Sequence, residues 1–504
     1  MNLIAETSQK PLDQNVIEQL CSTINSLQNE LKNAQLKIQA LALELAHHKR
    51  VKFGVKNESL SPQQRELFAE DWHADNGELE SAVDALQPTI RAARRKAGRQ
   101  PLPEHLPRIE HRHAPARCDC ETCGQQLTLV REEITEQLDV EPARFFVHRH
   151  IRPQLACRTC ETIVAEPAPA SIIDGGMASA GLLRWVLVNK FLDHLPLYRI
   201  EQIAARSNVT LARSTLADWV GCCGFALHPL AQRLAELLRE RNCLHADETP
   251  VQQLVPGNGK TKRAYIWVYR TNDYDDGPPI AVFDYQVNRS GEHAHDFLRD
   301  WRGHLMVDDY AGYKALFAKG ITELGCMAHA RRKFFELFSA NQNPTAAEAL
   351  RRIAELYEIE ATAREFNVEQ RQHARIAAKE KLADYKRWLD ETRLRVADGS
   401  ALAKAIDYSL KRWPAYTRYA DSGHLPIDNN PVENIIRPIA IGKKNWLFAG
   451  SERAGKRAAN IYTLLATAKL NGIEPSAWLK DTLEKLPTWP NSRIDELLPI
   501  KQRS

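Results

Sequence analysis

Between positions 15 and 48, apolar residues return at alternating steps of three and four: Ile17, Leu20, Ile24, Leu27, Leu31, Ala34, Ile38, Leu41 and Leu45, with His48 closing the series. This heptad, free of Pro and Gly, predicts a helix whose narrow apolar seam faces a partner helix. The other reading is one amphipathic helix packed on its own globular domain, which would favour a broader stripe. Residues 180–225 read as helical. From 243 to 335 the period keeps switching: CLHADETPVQQL is a short apolar approach, KRAYIWVYRT and PIAVFDYQV alternate as strands, SGEHAHDFLRDW reads as a helix, and HLMVDDYAGY is a strand ending in carboxylates. Residues 344–424, rich in Ala, Glu, Arg, Lys and Leu, read as helices throughout. The last strong feature runs from Pro426 to about Leu470, and no internal repeat is present.

The predicted architecture is multidomain α+β. It comprises a coiled coil over 15–50, a linker and basic segment over 51–115, a cysteine module over 116–168 and a helical region over 178–240. An α/β core then spans 241–340 and 425–460, interrupted by a helical insertion over 341–424 and followed by a C-terminal segment over 461–504. Three strands, a helix and a fourth strand match the opening of a ribonuclease-H-like fold, in which the first and fourth strands are neighbours.

Composition changes this picture little. The 504 residues are 43% hydrophobic and 26% charged, with a net charge of +4. No apolar run approaches the roughly 20 residues of a membrane span. The N-terminus MNLIAETSQKPLDQ lacks the basic start and apolar core of a secretory signal, so a cytoplasmic location is expected. Charge is informative locally. Residues 91–115 hold seven Arg and Lys, Arg99 among them, against two Glu. An Arg beside the Pro-rich stretch GRQPLPEHLP suits a narrow minor groove, and a solvated linker is the alternative.

Cys120-Glu-Thr-Cys123-Gly and Cys157-Arg-Thr-Cys160 are two C-x-x-C knuckles, which together predict a closed tetrahedral S4 site for one structural Zn2+. A dithiol redox site would need only one pair. The interval between the knuckles exceeds common zinc-ribbon spacing, but ITEQLDVEPARFFVHRHIRP alternates like a hairpin and would return the second knuckle to the first. Cys118 is a spare thiol beside the first pair. Neighbouring Arg117, Arg144, Arg149, Arg152 and Arg158 suit DNA contact, or the module is a zinc-stapled fold without it.

In YRIEQIAARSNVTLARSTLADWV (198–220), a helix carrying Ile200, Ile203 and Ala204 would turn at Ser207-Asn208-Val209 into a second helix burying Leu216 and Trp219. Its exposed face would offer Arg213, Ser214 and Thr215 to a major groove, although many plain helical hairpins share this pattern.

The acidic residues carry the chemistry. Asp247 follows the first strand's approach, Asp308 ends the fourth strand, and Glu433 follows Asp428-Asn429-Asn430-Pro431, a helix entry with Asn430 as the expected cap. Two Mg2+ ions held by such carboxylates suit phosphodiester chemistry, whereas His or Cys ligands would favour zinc. Beyond Glu433, residues 435–457 hold six Arg and Lys, including Arg437, Lys443 and Lys444, against one Glu. With Trp446 and Phe448 interleaved they suit a DNA backbone, or form a basic loop near a buried aromatic pair.

The segments CETCG…CRTC, NKFLDHLPLYRIEQIA, ADETPVQ, DDYAGYKAL, MAHARRKFFEL and DNNPVENIIRPIAIGKKNWLFAGS resemble, in order and over nearly the whole chain, the insertion sequence 66 family of bacterial transposases, TnpC type. The resemblance implies a coiled-coil N-terminus, a zinc module, a DDE core, and activity as a DNA transposase that binds the element's terminal repeats and joins them to target DNA. It implies the triad Asp247, Asp308 and Glu433, a bacterial nucleoid-associated setting, double-stranded DNA as partner, and two small accessory proteins of the same element. Asp308 is preferred to its neighbour Asp309 because it fits the family's register before Tyr310, and Asp309 would point to the opposite face of a continuing strand. Cys326 and His329 attract notice as a metal pair, but two ligands do not complete a zinc site. Their segment reads as a fifth strand entering a helix whose Arg331, Arg332 and Lys333 face DNA. Trp388 and Trp413 in the insertion read as core. Two rivals stand beside this reading: a metal-dependent nuclease without strand transfer, and a dimeric zinc-containing DNA-binding regulator with an inactive core.

Overall fold

The computed structural model describes residues 19, 22–32, 34–39, 41, 101–113, 128–141, 144–255 and 260–501. Residues 22–32 and 34–39 are helical. On that helix Ile24, Leu27, Leu31, Ile38 and Leu41 are 51–65% exposed. Arg99, Cys120 and Cys123 lie outside the described residues.

The first sheet gathers β1 (Arg108–Arg112), β2 (Thr128–Glu141), β3 (Arg144–Ala156) and β4 (Ile163–Ala165). β1 runs parallel to β3, and β2 and β4 run antiparallel to it. The hairpin expected from the alternation is present: Glu141 pairs with Arg144, and Thr128 pairs with Ala156, so the first residue of β2 lies beside the second knuckle. Phe145, Val147 and Ile151 are buried as the period requires. Phe146 is buried as well, because His148 covers its ring edge-on at 5.0 Å on the opposite face.

Helices α1 (Ala180–Leu187), α2 (Leu197–Ala205) and α3 (Arg213–Arg239) follow. Asn208 turns the chain between α2 and α3 at a φ of 56°, a left-handed conformation that Asn tolerates better than most residues. Ile200, Ala204, Leu216 and Trp219 are buried where the hairpin pattern places them. The second helix departs from expectation. It runs for 27 residues and buries Val220, Leu227, Leu230, Leu234 and Leu238 down its length, which makes it a spine of the core.

The second sheet has the order β7-β6-β5-β8-β9. It is built from β5 (Cys243–Leu254), β6 (Thr261–Thr271), β7 (Ala281–Gln286), β8 (His304–Val307) and β9 (Thr322–Gly325), with α4 (Gly291–Leu298) between β7 and β8. β5, β6 and β7 are antiparallel neighbours, whereas β5, β8 and β9 are parallel. The first and fourth strands are therefore adjacent. Period-two alternation sends the two faces into different cores. Leu305 and Val307 join the core shared with α3, while Met306 and Leu324 join the core beneath the insertion.

After the short α5 (Lys314–Phe317) and β9 come α6 (Met327–Asn341), α7 (Pro344–Thr362), α8 (Val368–Arg393), α9 (Ala401–Lys411) and α10 (Trp413–Thr417). Here Trp413 is buried and Trp388 half-buried against the second core. The chain returns to the sheet as α11 (Asn430–Trp446), α12 (Glu452–Leu470) and α13 (Pro475–Lys485). α12 crosses the expected boundary at 460 and belongs to the core. Its Thr463 and Thr467 hydroxyls accept hydrogen bonds from the Phe283 and Ala281 amides, satisfying donors on the edge strand β7. Among the described residues, no helix is long and apolar enough to cross a membrane.

Candidate active site

Three separate elements bring Asp247, Asp308 and Glu433 together. The β5–β8 pairing sets Leu244 against Leu305 and His245 against Met306. Continued by two residues, that register sets Asp247 opposite Asp308. Asp308 accepts the Tyr310 amide at 2.9 Å, while Asp309 lies 3.8 Å from the buried Arg412 guanidinium. The Asp247 carboxyl is pushed up to about 8. Burial is the main cause, the adjacent Glu248 the next, and the carboxylates of Asp308 and Glu433 add to it.

Glu433 stands in the first turn of α11, held alongside β5 at both ends. At the N-terminal end the fully buried Asn429 donates from Nδ2 to the Ala246 carbonyl at 2.9 Å, and its Oδ1 bonds His245 Nδ1 at 2.9 Å. Burial pushes His245 down to about 4, so the ring is neutral and Nδ1–H is the donor. Beyond the C-terminal end, the Ala449 amide donates to the Gln252 carbonyl and the Leu254 amide to the Ala449 carbonyl, both at 2.8 Å. A helix of 17 residues is about 25 Å long. The stretch of β5 from Ala246 to Gln253 covers about 23 Å, so the two match in length. The insertion adds a buttress: Tyr357 on α7 donates to Asp428 at 2.8 Å, and Asp428 also accepts the Asn430 amide at 3.1 Å. The helix cap is therefore Asn429 rather than the expected Asn430. The capping acceptor there is the Asp428 carboxylate, because the Asn429 side chain is spent on β5.

Glu248 was not anticipated. It follows Asp247 on a strand, so it points to the other face. There it is buried, accepting from Arg289 Nε at 2.6 Å and from the Tyr313 hydroxyl at 2.9 Å. Arg289 lies 3.8 Å from the centre of the Tyr310 ring, which ties the Glu248 side of β5 to the loop after Asp308. The sequence carried a signal only in the Asp-Glu doublet, and its partners are 41 and 65 residues away.

The predicted basic residues divide. Arg331, Arg332 and Lys333 are exposed on α6, with Arg332 reaching Glu433 at 3.4 Å. Arg437 and Lys444 are exposed on α11, while Lys443 donates to the Pro250 carbonyl at 2.9 Å. Arg213 is half-buried and paired with Glu201 at 2.9 Å, not displayed on an open face. Arg457, counted in the basic run, is buried, its stem lying against Gly224 where a Cβ would collide. Phe448 is buried and Trp446 half-buried, so the aromatic pair is core, not a stacking platform. In the second knuckle Cys157 is buried and Cys160 half-buried. The Cys157 amide donates to the Thr162 carbonyl, and the Glu161 amide to the Cys157 carbonyl, both at 2.9 Å. The chain turns through Glu161 at a φ of 54°.

Comparison with known proteins assigns the family. The model of the IS66 transposase family matches residues 175–457, and the chain belongs to that family. The IS66 C-terminal element matches 463–500, the zinc-finger binding domain of transposase IS66 matches 117–161, and the transposase C of IS166 homeodomain matches 40–110. The zinc-finger domain supports one zinc ion. Relatives include the uncharacterized proteins y4jD and y4qI of Sinorhizobium fredii (strain NBRC 101917 / NGR234). The first is 33% identical over 94% of this chain and 96% of its own length, and the second 36% identical over 84% and 82%.

Proposed function

We propose that this chain is a DDE-type DNA transposase with a ribonuclease-H-like core. In this reading it cuts at the ends of its insertion sequence and joins the freed 3′-hydroxyl directly to target DNA. The observation that carries the reading is the convergence of Asp247, Asp308 and Glu433 from β5, the end of β8 and the start of α11. The sheet order, with the first and fourth strands adjacent, supports the fold.

The donor set fits Mg2+. All three side chains are hard oxygen ligands, and the repulsion that raises Asp247 is a cost that a divalent cation removes. Two such ions, when bound, supply activation of the attacking oxygen and charge neutralisation at the leaving oxygen. Asp247 and Asp308 would share one and Glu433 would complete the other. The protein's own contribution is rigidity. Asn429 fixes α11 against β5, and Arg289 bound to Glu248 holds the Tyr310 loop. Exposed Arg331, Lys333, Arg437 and Lys444 would take the DNA backbone, and the Cys120, Cys123, Cys157 and Cys160 thiolates would hold the structural zinc. The exposed seam of the N-terminal helix supports pairing of two chains.

Strand transfer of labelled element ends tests the assignment. Asp308→Asn and Glu433→Gln should abolish joined products while end binding persists, and Asp309→Asn should retain them. Unimpaired joining by either of the first two would overturn the reading. Nicked but never joined products would mark a nuclease, and end binding without cleavage by the wild type would mark a regulator.

A further inference from the structure

One cluster at the site is not explained by carboxylate chemistry. Cys326 Sγ, a His329 ring nitrogen and a Glu433 carboxylate oxygen all lie within 4.8 Å of one another, the one such trio of potential ligands among the described residues. His329 Nδ1 and Glu433 Oε1 are buried, face each other at 3.6 Å, and have no hydrogen-bond partner. That separation is too long for a hydrogen bond. It does fit the edge of a tetrahedron around an ion with ligand bonds of about 2.0–2.3 Å, where neighbouring donors stand roughly 3.3–3.7 Å apart.

The sulfur's surroundings point the same way. Cys326 caps α6, and its Sγ accepts the Asn429 amide at 3.2 Å at the start of α11. The His329 amide is taken by the Cys326 carbonyl at 3.2 Å. The buried sulfur thus sits at the N-terminus of α6 and accepts an amide from the N-terminus of α11, an arrangement that favours a thiolate, the form that binds metal.

We infer that Cys326, His329 and Glu433 form a binding site for a borderline-soft divalent ion such as Zn2+. Magnesium does not take sulfur ligands, so this site selects a different metal from the carboxylate pair. Glu433 is common to both. The binding itself stands without the strand-transfer reading. What rests on that reading is the consequence that a thiophilic ion held here draws Glu433 away from the acidic trio.

The test uses the full-length protein with its zinc finger already filled. Cd2+ or Co2+ is titrated in, and the metal retained after dialysis is counted per chain. The wild type should retain one ion more than Cys326→Ser or His329→Asn. Its cobalt form should show a thiolate charge-transfer band beyond that of the finger, absent from Cys326→Ser. Serine can accept the same Asn429 amide, which protects the fold. If Cys326→Ser melts early, His329→Asn carries the comparison. Equal retention by wild type and a folded variant overturns the inference. A wild type that binds the extra ion yet shows no strand transfer under Mg2+ would sink the proposed function and leave this site standing.

Discussion

At the residue scale, the position of Glu433 depends on Asn429. Both polar ends of that side chain are spent on β5, one on the Ala246 carbonyl and one on the His245 ring, directly before Asp247. Asn429→Ala leaves a buried carbonyl and a buried imidazole N–H without partners, which should cost about 2 kcal/mol of stability. The α11 N-terminus would then be free to drift from β5. Thermal denaturation should therefore register a lower Tm, and strand transfer should fall well below what that loss of folded protein explains. Asn430→Ala, at an exposed neighbour, is the control and should keep most activity. Equal effects of the two substitutions would remove Asn429 from the positioning role. The same scale separates Asp308 from Asp309: the first is coupled to Asp247, the second to Arg412, although their side chains are chemically identical.

At the scale of elements, β1 is fastened to β3 by stacked histidines. His111 Nε2 and His148 Nδ1 share a hydrogen bond of 2.8 Å, and His113 Nε2 and His150 Nδ1 one of 3.0 Å. The buried Asp139 accepts from His148 Nε2 at 2.7 Å. Burial, with the neighbouring histidines and Arg152, pushes His150 down to about 4, and burial lowers His111 too. Above pH 6.5 the His150 ring is neutral in both folded and unfolded chains, so it costs nothing. As pH falls from 6.5 toward about 4, the unfolded chain takes up a proton that the folded one refuses, and stability is lost. Asp139 is held below its usual range by His148, Ser179 and the Val140 amide against the opposing effect of burial, so it acts in the same direction at still lower pH. The protection factors of the β1 amides should therefore fall between about pH 7 and about pH 5, even though intrinsic exchange itself slows over that range. His150→Gln should flatten that response, and an unchanged response would clear the ladder of blame.

At the scale of the whole molecule, the N-terminal helix exposes an apolar seam that the rest of the described chain does not cover, with Leu27 and Leu31 at 58% and 61% exposure. Paired in a coiled coil, these side chains would each contribute about 1.5–3 kcal/mol of burial. Leu27→Lys together with Leu31→Lys should shift the protein to a monomer in light scattering while the melting of the β5–β9 sheet domain stays unchanged. A wild type that is monomeric at micromolar concentration would end the pairing idea. Much of this molecule was legible in advance because local rules governed it. The succession of strands from β5 to β8, the hairpin before Cys157 and the turn at Asn208 follow from period, spacing and turn chemistry. What escaped was set by partners distant in sequence. For Trp446 and Phe448 the sequence left a DNA surface and a buried pair both open, and their burial decided it, as did the packing of the Arg457 stem against Gly224 of α3.

The sequence by itself determined the family and the alternating strands, because each is written in nearest-neighbour pattern or motif. Only the tertiary structure decided which faces those patterns meet. It clamped α11 to β5 through Asn429, turned Glu248 toward Arg289, joined Cys326 and His329 to Glu433, and lengthened the second helix of the hairpin into a core spine. The physical reason is burial. A polar side chain removed from water must find its partner wherever the fold brings one, and sequence distance does not enter that requirement.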